Sequence, residues 1–159
     1  MHLRRWVGPT PIDSERWRAP DGSGRVAARR QGATVRTDYP PGSLRLPFGE
    51  PFPDTAAGLR AALPGAPAAA ATALLDAIGI RYLTPAERAA VLRVIAGLPG
   101  LTFTGGGPHG LSFALDGPGL SVAVDPATGA VTGWRYGDAE RVEVLDSRRV
   151  PAPPLITDG

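Results

Sequence analysis

The chain has 159 residues, 17 basic against 15 acidic side chains and no cysteine. That length suits one domain that buries about two-thirds of its extended surface, and the missing thiols exclude a disulfide framework, a cysteine nucleophile and a thiolate metal site. No apolar run is long enough to cross a bilayer and the first residues lack the apolar core of a signal peptide, so the chain reads as cytoplasmic as written or as a domain cut from its own targeting segment.

His2 to Val7 is a short, imperfectly alternating strand, and Ile12 to Ala19 is a second, anchored by Trp17 between Arg16 and Arg18. The Pro20-Asp21-Gly22-Ser23-Gly24 turn returns the chain through a third strand over Arg25 to Arg29. From Gly32 to Pro53 the prolines cannot continue a helix or a central strand. Leu44, Leu46, Phe48 and Phe52 are nevertheless too apolar for a free linker, and the stretch reads as an ordered loop that covers the core or acts as a lid.

Asp54 is the expected cap of a short helix ending at Leu63, before Pro64 and Gly65. Pro67 opens an alanine-rich helix to Ile78 whose Leu74, Leu75 and Ile78 share one stripe, with Gly79 at its end. The best-signalled element is the helix from Thr84. Thr84, Pro85 and Glu87 form a capping box with proline at the first position, Val91, Val94, Ile95 and Leu98 make its apolar stripe, and Pro99-Gly100 ends it.

Beyond Leu98 the period switches to two. Leu101 to Thr104 is strand-like, Gly105 to Gly110 is a flexible break, and strands follow around Leu111–Leu115, Leu120–Val124, Val131–Tyr136 and Arg141–Leu145. The expectation is an α+β domain over 1–150, with a curved antiparallel sheet of about six to eight strands around two or three helices. Residues 151–159 read as a flexible tail.

Motifs that carry chemistry are sparse. The glycine cluster lacks the Lys-Ser/Thr of a nucleotide loop and opens no helix. His2 and His109 without cysteine do not make a zinc set, so no metal and no cofactor are expected. Ser112, His109 and Asp116 match a triad in composition only, because all three fall within one hairpin; a hydrolase using His109 is a remote alternative to a non-catalytic domain. The Thr84 helix carries only Arg88 and Arg93 beside Glu87, and nucleic acid is not expected as a partner.

Charge is uneven along the chain. Residues 1–50 hold nine Arg against five acids and residues 101–159 hold four against seven. The asymmetry fits a pairing of the two halves, an anionic partner near Arg25, Arg29, Arg30 and Arg36, or simply a solvated basic face.

Glu15 to Arg25, the capped helix ending Ala96 to Leu101, Val124-Asp125-Pro126-Ala127-Thr128-Gly129, and Leu74-Leu75 together carry a resemblance. From Leu3 to about Val144 the chain resembles the extracytoplasmic portion of a family of uncharacterised actinobacterial membrane-anchored proteins, often encoded beside extracytoplasmic-function sigma factors. More distantly it is similar to lipoprotein-carrier and anti-sigma-regulator domains. The resemblance implies a half-barrel sheet wrapped around helices with an apolar cavity, and an extracytoplasmic location. It carries no catalytic residues, and Trp6, Trp17 and Trp134 fall where that family places aromatics.

The expected function is a binding or sensory domain for a lipid, acyl chain or peptide, with Trp17, Tyr39, Phe48, Phe52, Phe103, Phe113 and Trp134 as candidate ligand-binding residues. A protein-interaction module with a filled core and an open sheet edge, the first strand in particular, is the alternative. The Trp17→Ala substitution separates them in part, at about 3–5 kcal/mol for a core position and much less for the wall of an open site.

Overall fold

The computed structural model describes residues 1–44, 46–49, 51–117 and 119–149. A first meander consists of β1 (His2–Val7), β2 (Pro11–Arg18), β3 (Gly24–Arg30) and β4 (Ala33–Tyr39). The helices α1 (Ala56–Ala62), α2 (Pro67–Ile78) and α3 (Pro85–Ala96) follow. A second meander contains β5 (Leu101–Gly107), β6 (Gly110–Leu115), β7 (Leu120–Val124), β8 (Val131–Tyr136) and β9 (Glu140–Asp146).

Among the described residues nine strands, rather than the six to eight expected, form one antiparallel sheet in the order β4-β3-β2-β1-β9-β8-β7-β6-β5, the extra one being β4 in the stretch read as loop. The chain starts at the middle of the sheet, runs out to one edge, crosses through three helices to the opposite edge and works back inward until β9 pairs with β1. This is an α+β fold with an open sheet, since β4 and β5 are opposite edges and do not pair with each other. The first strand is therefore no edge. Leu3 pairs with Ser14 on one side and Val144 on the other, and the exposed edges are β4 and β5 instead.

Register assigns the faces, because residues directly opposite share a face and alternate along each strand. A row across the helix-covered face runs Phe103, Phe113, Val122, Trp134, Val142, Arg5. The core forms where helices cover this face. Leu59 of α1, Leu74, Leu75 and Ile78 of α2 and Val91, Val94 and Ile95 of α3 pack with Leu3, Leu115, Leu120, Val122, Trp134 and Val142 of the sheet. Among the described residues β2, β3 and β4 add none to this core.

The capping box of α3 forms as the sequence requires. The Glu87 N–H donates to the Thr84 hydroxyl at 3.3 Å, and the Glu87 carboxylate accepts from the Thr84 N–H at 2.6 Å. Thr84→Ala is expected to cost about 1 kcal/mol in chemical denaturation. A loss indistinguishable from zero would mean that packing alone fixes the start of this helix.

Three local expectations are corrected. Residues 33–39, read as loop, form β4: Gln31 and Gly32 take positive φ of 50° and 83° and connect Arg30 to Ala33 in a two-residue hairpin turn. The cap of α1 is Thr55, whose hydroxyl accepts from the Gly58 N–H at 3.2 Å, and not Asp54. Gly105 to Gly107 continue β5 past an irregularity in register between Phe103 and Gly105, so the break shrinks to Pro108 and His109. Residues 151–159 lie outside the described residues.

Candidate functional site

The seven aromatic candidates do not converge. Trp17 lies on the face away from the helices, opposite Arg25, because it shares parity with Glu15 and Asp13 rather than with Ser14. Tyr39 is half-buried at the end of the edge strand β4. Phe48 and Phe52 meet edge to face at 5.7 Å, and Phe52, 3% exposed, belongs to the core. The proline-rich loop thus covers the core with its phenylalanines. Trp134 is buried beneath the helices, and Phe113 lines a recess of only about 10 Å³ under α2 and α3. Phe103, whose ring meets that of Phe113 at 5.6 Å and a tilt of 59°, is 61% exposed at the β5 edge.

A larger cavity of about 250 Å³ opens elsewhere, between α3, the link that joins it to α2, and the β7–β8 and β9 end of the sheet. Its apolar walls include Ile78, Leu83, Val91, Leu92, Val131 and Val144, and its polar lining includes Arg81, Arg88, Thr132 and Asp146. None of the seven aromatic candidates lines it.

Local sequence explains each wall. Arg88, Val91 and Leu92 stand at i, i+3 and i+4 on α3 and share one face. The opposite wall contains the turn after β7, where the Asp125 carboxylate accepts from the Ala127 N–H at 3.0 Å and from the Thr128 hydroxyl, while the Gly129 N–H returns to the Asp125 carbonyl at 2.8 Å. The Thr128 hydroxyl bond first, and the Ala127 N–H second, hold the Asp125 carboxyl below the usual carboxylate range. Gly129 has φ +67° and a Cβ there would come within 3.0 Å of Leu92 Cδ1, so the turn presses directly on α3.

The charged groups at the cavity are unequally engaged. Arg81, with 8% of its side chain exposed, lies 4.4 Å over the Phe52 ring, donates to the Gly49 carbonyl at 3.3 Å and sits 3.9 Å from Glu87. Asp146 is paired with Arg148 at 3.0 Å. The Nε of Arg88 is buried without a hydrogen-bond partner among the described residues.

Elsewhere the ionic groups serve the sheet. Arg4 pairs with Asp13 at 2.6 Å and Arg25 with Asp38 at 2.5 Å between neighbouring strands. The Arg5–Glu140 bridge of 2.8 Å joins the basic first meander to the acidic second one. Arg16 lies against α2 and donates to the Gly79 carbonyl at 3.2 Å, and burial lowers its pKa.

His109 is 3.7 Å from Glu143, whose carboxylate also meets Arg141, and its side chain is 55% exposed. Asp116 follows the far end of β6, about 20 Å along the strand at the usual rise per residue, so Ser112, His109 and Asp116 are not assembled. Among the described residues no group of three or more His, Cys, Asp or Glu is placed to hold a metal ion, and no single helix is long and apolar enough to cross a membrane.

Comparison with known proteins finds no matching family model, no matching curated protein and no matching solved structure.

Proposed function

We propose that this chain is a non-catalytic binding or sensory domain that takes a lipid, an acyl chain or a peptide end in the cavity beside α3. The observation that carries this reading is the cavity itself, where apolar walls flank about 250 Å³ that no side chain of the described residues fills. That volume lies just below the range of roughly 300–1,000 Å³ common for small-molecule sites, which favours a short chain or a chain end over a whole lipid. The resemblance to extracytoplasmic domains encoded beside sigma factors, and to lipoprotein-carrier half-barrels, adds a setting in which the bound molecule is a signal sensed outside the cytoplasm.

Native mass spectrometry of the freshly purified chain, followed by solvent extraction, tests the proposal. A copurifying species of defined mass is expected. A bare-chain mass that stays unchanged after incubation with medium-chain acids and alcohols overturns it.

A second reading, a protein-interaction module, is favoured by the β4 edge. That strand pairs with β3 in unbroken register from Ala33 to Tyr39, no described strand pairs with its other side, and Val35 is 66% exposed. Such an edge can accept a partner strand. The same spectrum counts subunits, and a monomer at every accessible concentration excludes self-association through it.

A further inference from the structure

We infer that the ligand of the α3 cavity is a short amphiphilic acid and that Arg88 receives its carboxylate. The inference rests on the binding reading above and narrows it to one chemical class.

Three observations converge on Arg88. It lines the cavity, its Nε is buried, and that Nε has no hydrogen-bond partner among the described residues. Two acidic groups, its chain neighbour Glu87 and the cavity-lining Asp146, are engaged elsewhere. Glu87 accepts from the Thr84 N–H and faces Arg81, and Asp146 is bridged to Arg148. A buried guanidinium donor without an acceptor is a destabilising arrangement that an anionic ligand relieves.

The rest of the cavity sets what the anion is attached to. Val91 and Leu92 lie on the same helical face as Arg88, and Ile78, Leu83, Val131 and Val144 complete an apolar wall. A cavity of this size has room for roughly eight water-sized groups, enough for a chain of about eight carbons and too little for a nucleotide. A guanidinium fork matches the two oxygens of a carboxylate. Of the two arginines at the cavity, Arg81 is held by the Phe52 ring, the Gly49 carbonyl and Glu87, which leaves Arg88 beside the apolar wall to receive a medium-chain carboxylic acid, with the head at Arg88 and the tail along Val91 and Leu92.

The test is calorimetric titration of the full chain with octanoate, 1-octanol and octylamine, repeated on Arg88→Met, which keeps an unbranched apolar stem. Octanoate is expected to bind about tenfold or more tighter than octanol, with octylamine weakest, and Arg88→Met to remove that advantage while leaving octanol binding in place. Equal affinity for octanoate and octanol, or an octanoate affinity unaffected by Arg88→Met, overturns the assignment to Arg88 and leaves the binding reading standing. Failure of all three probes to bind overturns both. Should Arg88→Met lose its fold, Arg88→Gln takes its place, with the same loss of the octanoate advantage expected and an unchanged advantage overturning the assignment.

Discussion

Trp134→Ala is expected to destabilise the fold by about 3–5 kcal/mol, read as a lowered midpoint at unchanged slope in chemical denaturation. Trp134 is 6% exposed and stands on the helix-covered face between Val122 of β7 and Val142 of β9. The far end of its ring also supports α2: a Cβ at Gly79, the residue that ends that helix, would lie 3.3 Å from Trp134 Cη2. Removing the indole empties the point where two neighbouring strands and the end of α2 meet, and a backbone held by strand pairing on both sides cannot collapse to fill it. Trp17→Ala, on the uncovered face, is expected to cost only roughly 1–2 kcal/mol, the value of a partly buried side chain. Equal losses at the two positions would place Trp17 in a core that its register does not give it.

Those two tryptophans mark how far the sequence could be read. Helices α2 and α3 are legible because their signals are local: proline at the first position of each, glycine after the last residue of α2, and for α3 a threonine and a glutamate three residues apart. Helix α3 nevertheless stops at Ala96 with Gly97 as its cap, short of the Leu98-Pro99-Gly100 end read from the sequence. Alternation at Leu120, Val122 and Val124 is legible because one face of β7 is buried. In β4 no such alternation exists, since six of its seven residues are exposed and an edge strand beyond the helices has no buried face to imprint a period. The place of β1 was also hidden. Its partner β9 lies at the other end of the chain, and the Arg5–Glu140 bridge that joins them spans 135 residues, a separation on which local pattern is silent.

The cavity was less legible than the fold. The α3 stripe reads from the sequence only as a packing face, and folding alone leaves space between it, the link to α2 and the turn after β7. One signal was present in Arg88, a charged residue at the head of a face continued by Val91 and Leu92. The aromatic residues misled because side chains in a strand alternate between faces. Trp17 and Trp134 fall on opposite sides of one sheet for reasons of parity that depend on register, and register is set by pairing partners rather than by the strand itself.

Gly110→Ala is expected to cost roughly 2–4 kcal/mol from backbone strain and overpacking together, whereas Gly107→Ala should be close to neutral. Gly110 has φ +109°, and a Cβ built on it would sit 2.3 Å from the carbonyl oxygen of Val124 and 2.8 Å from its carbon. These are backbone atoms of the neighbouring strand β7, which cannot swing away as a flexible side chain can. Around Gly107 nothing lies within 4 Å and φ is ordinary, so alanine there adds a methyl group to open space. Thermal denaturation of the two variants separates the possible roles of the glycine run. A flexible break or an anion-binding loop would tolerate both substitutions about equally in the absence of ligand. A large loss at Gly110 alone means that this glycine exists to let β6 leave the hairpin tip against the β7 backbone. The same hairpin places His109 3.7 Å from Glu143 on the face of the sheet away from the helices, so it lies apart from the α3 cavity, where binding chemistry is to be sought.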